Sequence, residues 1–177
     1  KINKPLLHER NSDLKKEKKM NYSRAQIVAT IGPASKEKDV IKKMIDHQMD
    51  LARLNFSWGN HDDHTEFIKN VREAAKEAGR RIPIIQDLSG PRMKTDGGHE
   101  INPDADKVIT EKDLSDLKFG IENGIDYVAM SYVGSKNDVV ELKNHIKKLG
   151  AKIPVIAKIE RQAALDGFRA GSFKVLV

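Results

Sequence analysis

Cysteine is absent from the sequence, so a disulfide framework and a cysteine-bound metal are both excluded. Long hydrophobic runs are absent too: none approaches the roughly 20 apolar residues that a membrane-spanning helix needs. The basic N-terminus lacks the apolar stretch that follows it in a signal peptide. With 38% hydrophobic and 33% charged residues over 177 positions, the composition is typical of one soluble domain. We therefore expect a cytoplasmic protein that has no membrane partner.

Positive charge is concentrated at the N-terminus. The chain has a net charge of +6, and residues 1–24 contribute most of it, with eight Lys or Arg against three acids. Such an arm could bind nucleic acid or anionic lipid. No aromatic residue except Tyr22 interleaves with the charges, which weakens the nucleic-acid interpretation. We therefore interpret residues 1–23 as a solvated basic arm and do not expect a nucleic-acid partner.

Short apolar runs alternate with longer amphipathic ones from residue 24 onward. The pattern predicts strands at 26–31, 50–56, 82–87, 126–131 and 153–159, apolar on both faces. It predicts helices at 36–47 (with Ser35 as N-cap), 61–78, 110–123 (with Thr110 and Asp113 as a capping-box-like pair) and 136–149. Residues 89–106 are rich in Gly, Pro and Asp and show no sustained period. The fold class is therefore α/β with a parallel sheet, either an open doubly wound sheet or a segment of a (β/α)8 barrel.

Polar residues follow the predicted strands at their C-terminal ends, where a (β/α)8 barrel has its active site. Arg53, Asn55 and Ser57 share one face of the second strand, and Lys158 and Glu160 share one face of the fifth. Strands one, three and four end in Thr30, Asp87 and Ser131. Carboxylates suit Mg2+ or an alkali cation, neutral oxygens suit a monovalent ion, and the cations suit phosphate or carboxylate. The pattern favours a shared pocket for a phosphorylated anion.

Each of these groups also has a structural interpretation. Arg53 and Asp87 could form an ion pair, Lys158 and Glu160 could form a salt bridge, and Asn55 and Ser57 could simply begin a loop. His61 and His64 resemble a metal-binding pair. An exposed, charged first turn of a helix is the favoured interpretation of those two histidines.

Four segments, in order along the chain, resemble the pyruvate kinase family. They are Ile27–Ser35 and Met49–Ser57, then Thr110–Gly120, which contains Thr-Glu-Lys-Asp-Leu, and Ile156–Arg161, which reads Ile-Ala-Lys-Ile-Glu-Arg. The resemblance covers roughly residues 24–165. It implies a partial (β/α)8 barrel over residues 24–177.

The resemblance implies phosphoryl transfer between phosphoenolpyruvate and ADP, giving pyruvate and ATP, with Mg2+ and K+ as cofactors. Arg53 would bind the transferring phosphoryl group, Lys158 would stabilise the developing charge, and Ser131 would lie near the substrate. The implied ligands are Glu160 for Mg2+, and Asn55, Ser57, Asp87 and the carbonyl of Leu88 for K+. The implied nucleotide-binding residues are Asn55, Phe56, Ser57, Trp58 and Lys94.

The sequence also departs from the family pattern. Trp58 stands where a histidine is usual, Lys94 stands where an arginine is usual, and Ser89-Gly-Pro-Arg92 replaces Lys-Gly-Pro-Glu. The lid domain is reduced to a loop at 96–108, and residues 162–177 form a divergent tail. The strand that supplies a second Mg2+ ligand is missing. We therefore expect weak or no transfer by this chain, and an open sheet edge that would allow a homo-oligomer.

Two other hypotheses remain open. A non-enzymatic remnant or interaction protein would use the open edge and the basic arm. A barrel lyase or aldolase acting on phosphoenolpyruvate or pyruvate would keep the metal and carboxylate pocket but need no ADP.

Overall fold

Five parallel strands form one sheet in the computed structural model, which describes residues 25–102, 105 and 107–171. The elements in chain order are β1 (Ile27–Ile31), α1 (Lys38–Asp46), β2 (Met49–Asn55), α2 (His61–Glu77), β3 (Ile84–Asp87), β4 (Arg92–Thr95), β5 (Gly98–Ile101), α3 (Glu111–Glu122), β6 (Tyr127–Met130), α4 (Lys136–Lys148), β7 (Val155–Ala157) and α5 (Gln162–Arg169). The sheet order is β1-β2-β3-β6-β7, and every neighbouring pair is parallel.

The strand order settles which α/β architecture the chain adopts. Strands follow one another across the sheet in chain order, without the reversal that creates a switch point in doubly wound sheets. The prediction of a partial (β/α)8 barrel is confirmed. Within the described residues the sheet does not close, and β1 and β7 are its edges.

One buried cluster joins the sheet to its helices. Ala52, Leu54 and Val128 contribute from the strands and are fully buried. The helices contribute apolar side chains at helical spacing: Ile41, Ile45, Phe67, Ile68, Val71, Leu117, Leu142 and Ile146. Because strand side chains alternate, the intervening residues of β2 and β3, among them Arg53 and Asp87, point to the opposite face.

Helix starts are largely as predicted. Thr110 and Asp113 form a complete capping box at α3, and α2 and α4 have capping boxes of their own. The prediction for Ser35 is wrong, because α1 begins at Lys38 after Glu37. The Ser35 side chain instead accepts a hydrogen bond from the backbone N–H of Gly32 at 3.1 Å and stabilises the turn after β1.

The prediction that every strand is buried on both faces is wrong for β1. Ile27 and Val28 are 45% and 49% exposed. The reason is positional: β1 pairs with β2 alone and lies at the edge of an open sheet.

The passage at 89–106 is more ordered than predicted. β4 and β5 form an antiparallel hairpin in which Arg92 pairs with Ile101, and Lys94 pairs with His99. Asp96 and Gly97 connect the two strands, and Asp-Gly is a strong two-residue hairpin signal. The predicted loop at 96–108 therefore contains β5.

The segment from residue 162, predicted to be a divergent tail, is helical where it is described, as α5. The arm at 1–23 and the C-terminal residues 172–177 lie outside the described residues. In the part of the chain that is described, no helix combines the length and apolar character needed to cross a membrane.

Candidate active site

Asp87 lies at the centre of the polar strand ends. It ends β3 and is 1% exposed. Its Oδ2 accepts a hydrogen bond from Arg53 Nε at 2.7 Å and lies 2.6 Å from Arg53 Nη2, so two guanidinium nitrogens approach one carboxylate oxygen. Arg53 Nη1 also donates to Thr30 Oγ1 at 2.8 Å, so β1, β2 and β3 are joined at their C-terminal ends.

Lys158, the residue directly after β7, approaches the same carboxylate. Its Nζ lies 3.2 Å from Asp87 Oδ1 and 2.9 Å from Ser131 Oγ. Ser131 Oγ in turn donates to the Leu88 carbonyl at 2.7 Å. Lys158 Nζ also lies 3.3 Å from Glu160 Oε1. Arg53, Asp87, Ser131, Lys158 and Glu160 thus form one connected set of contacts, which we call the strand-end network.

A strained turn after β6 holds Glu160 in place. Tyr132 has φ 59°, a left-handed conformation that is uncommon for a residue other than glycine. Its backbone N–H donates to Glu160 Oε2 at 2.9 Å. Gly90 packs against this turn with φ 68°, and a Cβ there would lie 3.1 Å from Tyr132 Cδ2. The pattern of polar residues at the strand ends did not identify Tyr132. The only sequence signal near it is the Ser-Gly-Pro turn, whose Gly90 packs closely against the Tyr132 side chain.

Both structural interpretations of the charged residues are correct, and they coincide with the site. Arg53 pairs with Asp87, and Lys158 pairs with Glu160. Burying Asp87 without these cations would be costly, since an unpaired buried charge loses several kcal/mol of hydration, as an order of magnitude. The ion pairs therefore hold the cations at the point where the strands converge.

The oxygen donors fit a monovalent cation in chemical type. Asn55 supplies a side-chain oxygen, Ser57 a hydroxyl, Asp87 a carboxylate and Leu88 a carbonyl, all hard oxygens. In the structure, Asn55 Oδ1 accepts from the Ser57 N–H at 3.1 Å; Asn55 ends β2, and Ser57 lies two residues further on. For a divalent cation the set is poorer. No group of three His, Asp or Glu side chains suited to a metal occurs among the described residues.

The residues predicted to bind a nucleotide are divided between two environments. Trp58 is 56% exposed and lies 4.3 Å from the His99 ring, centroid to centroid. With Asn55 it borders a cavity of about 360 Å³ that also includes Thr30, Pro33 and Lys36. The Phe56 side chain is buried in the core, and both of its backbone groups have partners: its N–H donates to the Asp87 carbonyl at 2.9 Å, and its carbonyl accepts from Lys112 Nζ at 2.7 Å. Lys94 lies on β4.

His64 is a correction to the predicted exposed first turn of α2. It is 3% exposed, its ring stacks on Phe56 at 3.8 Å, and its Nε2 lies 3.0 Å from the Trp58 carbonyl. Burial lowers the pKa of His64 below its usual value, against the opposing effect of the Trp58 carbonyl. His61 also has a partner, Asp116 Oδ1 at 2.8 Å.

A second cavity, of about 440 Å³, lies beside these two histidines. Lys112 and Asp116 of α3 also line it, and their side chains are 2.5 Å apart. This cavity is larger than the one beside Trp58, but none of Arg53, Asp87 and Lys158 lines it. The strand-end network contains the residues that the sequence pattern singled out, so it is the candidate site.

Comparison with known proteins gives a consistent family. The family model "pyruvate kinase, barrel domain" matches residues 22–108 and 97–170. Pyruvate kinase from Thermococcus litoralis is 29% identical over 82% of this chain and 47% of its own length. Those of Mycobacterium tuberculosis strain H37Rv and Dictyostelium discoideum are 26% and 27% identical, each over 83% of this chain.

The matches cover most of this chain but only part of each relative. The chain spans about half the length of the curated relatives it matches, 46–48% for these three. The match to the Thermococcus protein runs over 225 residues, which is longer than this entire chain of 177. Within the matched region, the relative therefore has residues that this chain lacks. The five-stranded parallel sheet, the polar strand ends and the family match agree, and the chain belongs to the pyruvate kinase family.

Proposed function

We propose that this chain binds phosphoenolpyruvate at the strand-end network and transfers its phosphoryl group to ADP, giving pyruvate and ATP. The observation that carries the proposal is the position of Lys158 Nζ, 3.2 Å from Asp87 Oδ1 and 3.3 Å from Glu160 Oε1. Asp87 also binds Arg53, so one cation on β2 and one directly after β7 flank a single buried carboxylate. Phosphoryl transfer depends mainly on positioning and charge stabilisation, which such a cluster supplies.

Each residue of the network has a role in this proposal. Arg53 presents guanidinium N–H groups to the transferring phosphoryl group. Lys158 places its ammonium where the enolate of pyruvate develops negative charge. Asp87 holds both cations in position, and Ser131 fixes Lys158 through the 2.9 Å contact with its hydroxyl.

Cofactors follow from the same donors. We assign K+ to the oxygens of Asn55, Ser57, Asp87 and Leu88, and Mg2+ to Glu160 together with substrate oxygens and water. A bound Mg2+ would neutralise charge on the phosphoryl oxygens. Glu160 is the only protein carboxylate that we assign to it, so we expect weak Mg2+ binding.

The rate should be low for a second reason. The hairpin β4–β5 is the only structure between β3 and α3 in the described residues, and it is too small to cover the sheet edge as a lid domain would. Water would therefore reach the site, which weakens every electrostatic contact there. The nucleotide would occupy the cavity beside Trp58, with Lys94 on the hairpin near its phosphates. The proposed substrates of this chain, phosphoenolpyruvate and ADP, are cytoplasmic metabolites, so we infer that the protein is cytoplasmic.

A coupled assay tests the proposal. Pyruvate formed from phosphoenolpyruvate and ADP, with Mg2+ and K+, is followed by lactate dehydrogenase and NADH. We expect Lys158→Met to lower kcat by about 10²–10³-fold, the usual effect of removing one transition-state donor. Lys152→Met is the matched control, because it removes an exposed lysine just before β7 and should leave kcat unchanged. Equal rates in the wild type and Lys158→Met would overturn the assignment.

A further inference from the structure

The charges of the strand-end network balance one another. Arg53 and Asp87 are 2.6 Å apart, Lys158 and Asp87 are 3.2 Å apart, and Lys158 and Glu160 are 3.3 Å apart. Two cations and two carboxylates give no formal net charge. A phosphorylated carboxylic acid that approaches this network meets little net attraction, because each cation is already compensated. Beyond the metal ions assigned to the site, further attraction would come from a side-chain cation that has no acidic partner.

Arg92, the first residue of β4, is such a cation. Its guanidinium Cζ lies 5.3 Å from the centroid of the Tyr132 ring, within the range of a cation–π contact. Its Nε is buried and has no hydrogen-bond partner. Among the residues that the structure describes, no carboxylate forms an ion pair with it. A buried charged donor without an acceptor costs free energy, which an anionic ligand would recover.

Contacts connect Arg92 directly to the strand-end network. The Tyr132 ring that lies under its guanidinium belongs to the residue whose N–H donates to Glu160 Oε2 at 2.9 Å. Gly90, two residues before Arg92, packs so closely that a Cβ would lie 3.3 Å from Ser131 Cβ. The left-handed φ of Tyr132 fixes the direction of this turn. Arg92 thus contacts the side chain of the same residue whose backbone holds Glu160.

We propose that Arg92 is a further substrate-binding residue that takes an oxyanion of phosphoenolpyruvate, either its phosphoryl group or its carboxylate. The inference rests on the proposed function, since it assigns this ligand to that site. A guanidinium is suited to the role, because it binds either group through two parallel N–H donors while it stacks on a ring. The pattern of polar strand ends could not find Arg92, because it lies on the hairpin and not on the parallel sheet.

The test is isothermal titration calorimetry of phosphoenolpyruvate, pyruvate and inorganic phosphate into wild type and four variants. Arg92→Gln should weaken phosphoenolpyruvate binding by about tenfold, the loss expected for one charge-assisted hydrogen bond. Arg92→Lys keeps the charge without the fork and should weaken it by about threefold. Arg81→Gln is the charge-matched control: Arg81 is 81% exposed, pairs with Asp126 at 2.9 Å and precedes β3 at the opposite end of the sheet. Lys158→Met reports on the proposed function itself.

The three ligands separate the two oxyanions. If Arg92→Gln weakens phosphoenolpyruvate and phosphate, Arg92 binds the phosphoryl group; if it weakens phosphoenolpyruvate and pyruvate, Arg92 binds the carboxylate. Wild-type affinity in Arg92→Gln, with weakened binding in Lys158→Met, overturns the inference and leaves the proposed function standing. No binding of phosphoenolpyruvate by the wild type overturns both. Should Arg92→Gln fail to fold, Arg92→Lys decides, and wild-type affinity in that variant rejects the role.

Discussion

Asp87 is a buried carboxylate that both needs cations for its own stability and positions those cations in the candidate site. Its carboxylate is 1% exposed, and it is stable there because Arg53 and Lys158 lie on either side. Removing either cation would leave a buried charge partly unpaired, which is costly. The same two contacts fix the positions of the cations before any substrate arrives. In this protein the ion pairs that stabilise the open sheet also preorganise its candidate site.

His64 gives a prediction at the scale of one residue. Burial lowers its folded-state pKa below the ordinary value of 6.5, so the unfolded chain binds this proton at a higher pH than the folded chain does. Its contribution to stability is therefore complete above about pH 6.5 and is lost as the pH falls toward the folded-state pKa. Urea unfolding from pH 7.5 to 5.5 should show a decline that is smaller in His64→Gln. An identical decline in both proteins would show that other groups cause it.

Helix α3 connects the loops that carry the site, which is a property of the whole element. Lys112 Nζ donates to the Phe56 carbonyl at 2.7 Å, in the loop after β2. Asp113 Oδ1 accepts from the Gly90 N–H at 3.0 Å, in the loop after β3. Gln86 Nε2 donates to the Asp116 carbonyl at 2.7 Å, which ties the helix to β3 itself. The first turns of α3 thus set the positions of the loops that follow β2 and β3.

Gly120 tests how closely α3 packs on β3. A Cβ at this position would overlap the carboxamide of Gln86, which is fully buried and is held by its hydrogen bond to the Asp116 carbonyl. Replacing a helical glycine by alanine usually stabilises a helix by about 1 kcal/mol. Here we expect Gly120→Ala to lower the free energy of unfolding by about 2 kcal/mol, because overpacking outweighs propensity.

Chemical denaturation measures this change, and Ser115→Ala is the matched control. Ser115 lies on the exposed face of the same helix, where the substitution should raise stability by a few tenths of a kcal/mol, roughly the difference in helix propensity. Stabilisation by Gly120→Ala would contradict the close packing of α3 on β3.

The sequence predicted elements where a local signal exists. The capping pair Thr110 and Asp113 located α3, and strand–helix alternation located the parallel sheet. The hairpin β4–β5 was missed, although Asp96-Gly97 is its signal, because each strand has only four residues and no clear alternation. Ser35 was misassigned because a serine before a helix can equally close the preceding turn.

The candidate site could be predicted only in part, for a related reason. Period-two alternation placed Arg53, Asp87 and Lys158 at the strand ends. Which groups touch depends on lateral register and on turns between distant segments. The contacts of Arg92 with Tyr132, and of Tyr132 with Glu160, join residues 40 and 28 positions apart and leave no local pattern.

At the scale of the whole molecule, the sheet is open. β1 pairs only with β2, and β7 pairs only with β6, within the described residues. Ile27 and Val28 on β1 are 45% and 49% exposed, whereas all four residues of β3 are buried. Stability should therefore fall from the centre of the sheet toward its edges.

Hydrogen exchange followed by mass spectrometry measures that gradient. We expect the amides of β3 and β6 to exchange slowest and those of β1 and β7 to exchange markedly faster, because edge strands open without disrupting the core. Protection of β1 equal to that of β3 would contradict an open edge in solution. Repeating the measurement at lower protein concentration would show whether another copy provides such protection.

The central claim is that Arg53 on β2 and Lys158 directly after β7 act on one ligand, and a double-mutant cycle tests it most directly. Affinity for phosphoenolpyruvate is measured by calorimetry in wild type, Arg53→Met, Lys158→Met and the double variant. A shared ligand predicts that each single variant weakens binding and that the two losses fail to add, with a coupling energy above about 0.5 kcal/mol. Losses that add within that margin, or single variants that bind as wild type does, would contradict the claim.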